Sequence, residues 1–208
     1  MYMTRMELDM GRRDTVRALV SPGMLHGAIE RAFPGERRRR LWRVDELNGR
    51  RYLLLVSGEE PDLTRAAEQF APPGAGWETK NYRPFLDALT NGGVWRFRLA
   101  ANPTISAPSQ AGERGKVYAH VTAAQQKNWL LARAEKHGFS LTEEGFDVTR
   151  RGVLSFRKGP QQRPVTLGVC VFEGLLTVTD AALLRKALTE GVGRGKAYGQ
   201  GLMTLVRA

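Results

Sequence analysis

Apolar and polar positions alternate loosely over residues 2–10, the period-two pattern of a half-buried strand. Ser21-Pro22 then marks a helix start, with Ser as cap and Pro at the first helical position. Leu25, Ala28, Ile29, Ala32 and Phe33 follow at helical spacing and make one apolar face, and Pro34-Gly35 stops the helix. Residues 40–46 and 51–57 read as strands joined by Asn48-Gly49, a strong hairpin signal because both residues tolerate positive φ. A short helix capped by Asp62 is predicted over 62–70, then a loop at 71–76 (APPGAG). A strand over 94–101, entered through Asn91-Gly92-Gly93, completes a β-α-β-β-α-β order.

That order recurs, with residues 94–101 also serving as the opening strand of the second half. A helix is predicted over 122–137, closed by Gly138. Strands over 148–158 and 165–178 flank the polar turn GPQQR, a helix capped by Asp180 runs over 180–190, and residues 202–207 form a last strand. Residues 106–116 (SAPSQAGERGK) read as a mobile loop. Two β-α-β-β-α-β units in tandem predict an α+β fold of two ferredoxin-like (RRM-like) domains, residues 1–90 and 91–208.

Charge changes the picture from fold to partner. Lys plus Arg total 32 against 21 Asp plus Glu, a formal net charge of +11 that favours polyanions, since each neutralised phosphate releases counterions. Cys170 is the only cysteine, so neither a disulfide framework nor a multi-cysteine zinc site is available within one chain. The N-terminal stretch is interrupted by charges, and no apolar run reaches transmembrane length. The expectation is a cytoplasmic protein with no membrane partner, no metal and no cofactor.

The stretch GVGRGKAYGQGLMTL, residues 191–205, puts five glycines and two cations just before the last strand. It does not match the dinucleotide fingerprint, and Ala197 follows Lys196 where a phosphate loop needs Ser or Thr. A helix precedes this loop and a strand follows, the reverse of both motifs. Gly191 suits a helix C-cap. The remaining glycines leave main-chain N–H groups open to a phosphate backbone, with Gly193, Arg194, Gly195 and Lys196 as candidate nucleic-acid contacts and Tyr198 able to pack or stack.

Of three histidines, His26 lies in the second turn of the first predicted helix, at the edge of its apolar face. Its ordinary pKa suits proton transfer near neutral pH. Spacing alone leaves a structural, an exposed and a catalytic role open. His137 fits a helix C-terminus, where a cation favours the dipole, and His120 has no assigned role. Arg150, Arg151, Arg157, Lys158 and Arg163 make the 149–163 hairpin basic, and residues 37–40 are a run of four arginines. Both patterns equally describe solvated surface. The RNA-recognition consensus with stacking aromatics is absent.

The glycine-rich C-terminal stretch resembles the signature of the Cas6 superfamily, and specifically CRISPR endoribonucleases of the CasE type. MLHGAIERAFP (24–34), VWRFRLAANPT (94–104), NWLLARAEKHGF (128–139) and VCVFEGLLTVTD (169–180) are similar to that family's first helix, interdomain strand, second-domain helix and penultimate strand. The resemblance implies two ferredoxin-like domains. It implies metal-independent cleavage of precursor CRISPR RNA at the base of the repeat stem-loop, leaving a 2′,3′-cyclic phosphate and a 5′-OH. It implies that the product stays bound and that the enzyme joins the other Cascade subunits; isolated, the chain is expected to be a monomer. His26 is the implied catalytic residue, and the basic hairpin is implied to hold the RNA stem. Family members often carry a tyrosine three residues before the histidine; here that position is Gly23, which leaves the second catalytic group unassigned, with Arg31 as a candidate. The alternative is a non-catalytic RNA-binding protein of the same fold.

Overall fold

The computed structural model describes residues 1–36, 38–107, 116–157 and 164–208. The first sheet is antiparallel and contains β1 (Tyr2–Leu8), β2 (Leu41–Leu47), β3 (Arg50–Ser57) and β4 (Trp77–Asn81) in the order β2-β3-β1-β4. That is the strand order of a ferredoxin-like domain. Helices α1 (Arg13–Val20), α2 (Gly23–Arg31) and α3 (Thr64–Phe70) fill its two crossovers. Thr4, Met6 and Leu8 alternate inward along β1, and Met6, Leu25, Ile29, Leu53, Leu55 and Phe70 form the core beneath the helices. Asn48 (φ 52°) and Gly49 (φ 76°) make the β2–β3 turn, matching the hairpin signal.

Three differences from the sequence reading have physical causes. The fourth strand is Trp77–Asn81, not residues 94–101; it is a short edge strand with no fully buried residue and only Trp77 as a large apolar side chain, too weak a signal to read. The segment Val94–Ala101 (β5) pairs wholly within the second sheet. An unforeseen helix, α1, precedes α2; it fully buries only Thr15 and Ala18, with Leu19 partly packed on the core. Because α2 starts at Gly23, His26 sits in its first turn rather than its second.

The second sheet orders β11 (Met203–Arg207), β5, β10 (Val165–Val178) and β8 (Phe139–Ser140), with β9 (Phe146–Phe156) on the same side of β10 as β8. Strands β8 and β9 share one edge position, so this sheet repeats the ferredoxin-like order. Helix α4 (Arg83–Asp87) joins the two sheets. Helix α5 (Ala123–Ala134) starts with a capping box between Thr122 and Gln125, and α6 (Ala181–Glu190) is capped by Asp180. The predicted C-terminal extension of α5 tightens into a 3-10 turn over Glu135–His137 before Gly138. Residues 104–106 and 117–119 pair as a two-stranded arm, β6 and β7, that flanks the loop expected over 106–116; residues 108–115 of it lie outside the described residues.

Leu41 and Val56 of the first sheet belong to the same buried cluster as Phe97, Leu99, Phe172 and Met203 of the second, so one core bridges the halves. Arg43 reinforces it. Its side chain is 3% exposed, paired with Asp45, and donates to the carbonyls of Arg98 at 3.0 Å and Leu202 at 2.7 Å. It also donates to the Thr204 hydroxyl at 2.8 Å. A single guanidinium thus ties β2 to β5, to β11 and to the residue that follows the glycine loop.

Candidate active site

Helix α2 buries Leu25, Ala28 and Ile29, which places His26 on its rim with the side chain 22% exposed. His26 Nδ1 lies 3.9 Å from Glu30 Oε1, one helical turn on. Arg40 Nη1 holds the other Glu30 oxygen at 3.2 Å, and the Arg40 guanidinium lies 4.1 Å over the Phe33 ring. Arg40 was read as part of a basic run; its side chain is 4% exposed and anchors Glu30. In the same run Arg38 pairs with Glu59 at 2.9 Å, and Arg37 lies outside the described residues. Arg31 falls on the last turn of α2, its guanidinium folded back toward Gly27, one position round from the His26–Glu30 face.

The glycine loop reaches the other side of His26. A 3-10 turn, Lys196–Tyr198, sets the Tyr198 ring against the imidazole in an edge-on geometry, with centroids 6.4 Å apart. Tyr198 also packs on Phe156, the last residue of β9, at 4.8 Å. Close packing explains two of the glycines. A Cβ on Gly193 would stand 3.0 Å from the Trp129 ring, and one on Gly199 would stand 3.0 Å from the Trp42 ring, both at positive φ. The loop is therefore pressed into the protein at these points and presents Arg194 outward. Lys196 lays its stem across Gly191 and Gly201. Burial pushes its ammonium below the usual range, with Arg39 adding to the shift and Glu190 opposing it.

Between the halves lies a cleft of about 340 Å³, lined by Leu25, Trp42 and Tyr198 on one side and Arg150, Arg151 and Val153 on the other. Strand β9 carries these arginines over α1, and both are exposed. Arg157 is exposed beside Phe156, whereas Lys158 and Arg163 lie outside the described residues. The structure thus brings His26, Tyr198 and the base of the arginine hairpin to one place. A second groove, about 600 Å³, runs behind the glycine loop and contains Gly193, Arg194, His120 and Arg133, with no carboxylate among its lining residues.

His137 is the C-terminal cap by another route than expected. Its Nδ1 meets the Arg133 carbonyl at 2.7 Å, and burial lowers its pKa, with Lys136, Arg133 and Lys196 adding to the shift. The imidazole thus meets a carbonyl of the last turn of α5 directly. Burial pushes the Cys170 thiol up to about 11, consistent with an inert core residue. Among the described residues no three His, Cys, Asp or Glu side chains cluster as a metal ion would require, and no helix is long and apolar enough to cross a membrane.

Glu30 was missed in the sequence although the i, i+4 spacing from His26 exposes it. Phe156 and Arg40 carried no such signal, because each acquires its role only through tertiary packing.

A family model for CRISPR associated proteins matches residues 1–207. The chain is 32% identical over 222 residues to the CRISPR-associated endoribonuclease Cse3 of Thermus thermophilus, covering 99% of each protein. It superposes with a TM-score of 0.82 and 29% identity on Thermus thermophilus Cse3 bound to an RNA representing a pre-cleavage complex, over 99% of this chain and 98% of that one. A chain of a CRISPR RNA-guided surveillance complex, pre-nicking, matches with a TM-score of 0.75 and 25% identity, over 100% of both. On these matches, the chain belongs to the CRISPR-associated protein family and is of the CasE (Cse3) type.

Proposed function

We propose that this chain is a metal-independent endoribonuclease that cuts precursor CRISPR RNA at the base of each repeat stem-loop. One observation carries the reading: His26, on the rim of α2, meets the glycine-loop tyrosine beside a cleft walled by Arg150 and Arg151. Relatives of matching length are an endoribonuclease and a structure bound to RNA, which supports the same activity here.

The chemistry follows from RNA itself. The 2′-OH attacks the adjacent phosphate in line, the P–O5′ bond breaks, and a 2′,3′-cyclic phosphate and a 5′-OH result. His26 exchanges the protons; such assistance is worth ~10²–10⁴-fold. Its place in the first turn of α2 favours a phosphate nearby, since the positive end of the helix dipole lies there. Gly193, Arg194, Gly195, Lys196, Arg150, Arg151 and Arg157, together with Lys158 and Arg163, hold the RNA backbone. An A-form stem offers mainly shape and phosphates to such a surface. The enzyme works in the cytoplasm, is a monomer when isolated, and keeps its product as a Cascade subunit alongside the other subunits.

The test is incubation with cognate repeat RNA in excess EDTA. One cut per repeat, with cyclic phosphate and 5′-OH ends, is expected. Cutting that stops in EDTA and returns with a divalent ion would overturn the metal-free chemistry. A second expectation concerns the hairpin. Arg150→Ala with Arg151→Ala should weaken RNA binding and flatten the slope of log affinity against log salt by about 1.5, as two phosphate contacts are lost. An unchanged slope would place these arginines off the RNA.

A further inference from the structure

In-line cleavage of RNA asks for more than one imidazole. As the O2′–P bond forms and the P–O5′ bond breaks, one proton leaves O2′ and one reaches O5′. Meanwhile the two non-bridging oxygens gather negative charge. His26 can serve the proton movements; the charge on the phosphoryl oxygens needs a donor of its own.

We infer that Tyr198 is that donor: its phenol hydroxyl donates a hydrogen bond to a non-bridging oxygen of the scissile phosphate, and its ring fixes the His26 imidazole. This rests on the endoribonuclease reading above and names a second group in the same site. The Tyr198 ring meets the His26 imidazole edge-on. It is half-buried and lines the cleft shared with Arg150 and Arg151, so it borders both the imidazole and the cationic wall.

It is also held in place. Phe156, 6% exposed, packs against the ring at 4.8 Å. The Tyr198 N–H donates to the Gly195 carbonyl at 2.8 Å, closing the turn, and the next residue, Gly199, lies against Trp42 with no room for a side chain. A donor fixed before the reaction needs no reorganisation when charge develops, which is what makes such groups effective. A phenol suits the role because it donates while remaining neutral. Arg31, the other candidate for a second group, has its guanidinium folded back toward Gly27. No proton is transferred by Tyr198, so the balance of the reaction is unchanged.

The experiment uses the full-length protein, repeat RNA and single-turnover conditions. Tyr198→Phe keeps the ring and its packing on Phe156 and removes only the hydroxyl. Cleavage should fall about 10–100-fold while RNA affinity and melting temperature stay at the wild-type values. A phosphorothioate at the scissile position gives a readout that packing alone would not move, since sulfur accepts hydrogen bonds poorly. The wild-type enzyme should slow on one diastereomer, and Tyr198→Phe should lose that selective slowing. Wild-type rates in Tyr198→Phe, or an undiminished thio effect, would overturn the inference. So would a slow Tyr198→Ala beside a fast Tyr198→Phe, which would leave the ring a packing role alone. If His26→Ala also cuts normally, the underlying reading has failed; if His26→Ala is inactive and Tyr198→Phe is not, only the role of Tyr198 has failed.

Discussion

Replacing His26 with alanine should reduce single-turnover cleavage of repeat RNA by about 10²–10⁴-fold and leave the dissociation constant of the RNA within about twofold. The separation of the two effects follows from where the residue sits. Its ring is on the rim of α2, while the apolar side chains beside it hold the helix to the sheet, so truncation opens no cavity in the core. The proposed phosphate contacts lie elsewhere, on the β9–β10 hairpin and the glycine loop. An alanine variant that cuts at the wild-type rate would remove His26 from the mechanism. A variant that no longer binds RNA would make it a binding residue instead.

The other large effect is on stability. Arg43→Met should lower the unfolding free energy by about 3–5 kcal/mol, because it strands a buried carboxylate rather than deleting an exposed charge. Asp45 is 5% exposed and would keep only the Arg98 guanidinium, whose Nε lies 3.3 Å away. The Leu202 carbonyl would lose its side-chain donor and the Arg98 carbonyl the shorter of its two at the same time. For a chain of this size the melting midpoint should fall by about 6–20 °C. Adding Asp45→Leu should recover part of the loss, since removing both charges is far less costly than removing one. A midpoint within about 2 °C of wild type in Arg43→Met would show that the clamp contributes little. Cleavage should weaken together with stability: Leu202 follows directly on the loop that carries Tyr198, and Arg43 aligns that loop with the half of the protein bearing His26.

Much of the scaffold was legible because it depends on local chemistry. The Asn48-Gly49 turn, the Asp180 cap and the Gly138 stop each satisfy backbone groups within a few residues, so their signals survive in a single sequence. Elements that bury little were not legible. Strand β4 brings only Trp77 against the core, and α1 fully buries only Thr15 and Ala18 with Leu19 partly packed, so neither carries a run of large buried side chains. For the same reason residues 94–101, strongly apolar, were also counted as the closing strand of the first unit; their pairing with β10 and β11 bears out only the reading of them as the second unit's opening strand.

The candidate site divides along the same line. His26 could be singled out as a helical histidine beside an apolar face, and the glycine loop by its composition. Their meeting could not, because it depends on how two domains are set against each other by Arg43 and the shared core. Arg40 shows the converse. Four consecutive arginines look alike in sequence, yet this one is buried over Phe33 and holds Glu30 beside the imidazole. Two loop glycines, read as openings for a phosphate, also have a packing cause, since a Cβ at Gly193 or Gly199 would crowd the Trp129 or Trp42 ring at 3.0 Å.

The most direct measurement replaces a single atom in the substrate: a repeat RNA carrying 2′-deoxyribose at the nucleotide before the scissile phosphate, incubated with wild-type enzyme. The account predicts that this RNA binds as tightly as the all-ribose repeat, stays intact, and competes with it. Cutting of the deoxy substrate would mean that the attacking oxygen comes from elsewhere, and would contradict the mechanism at its first step.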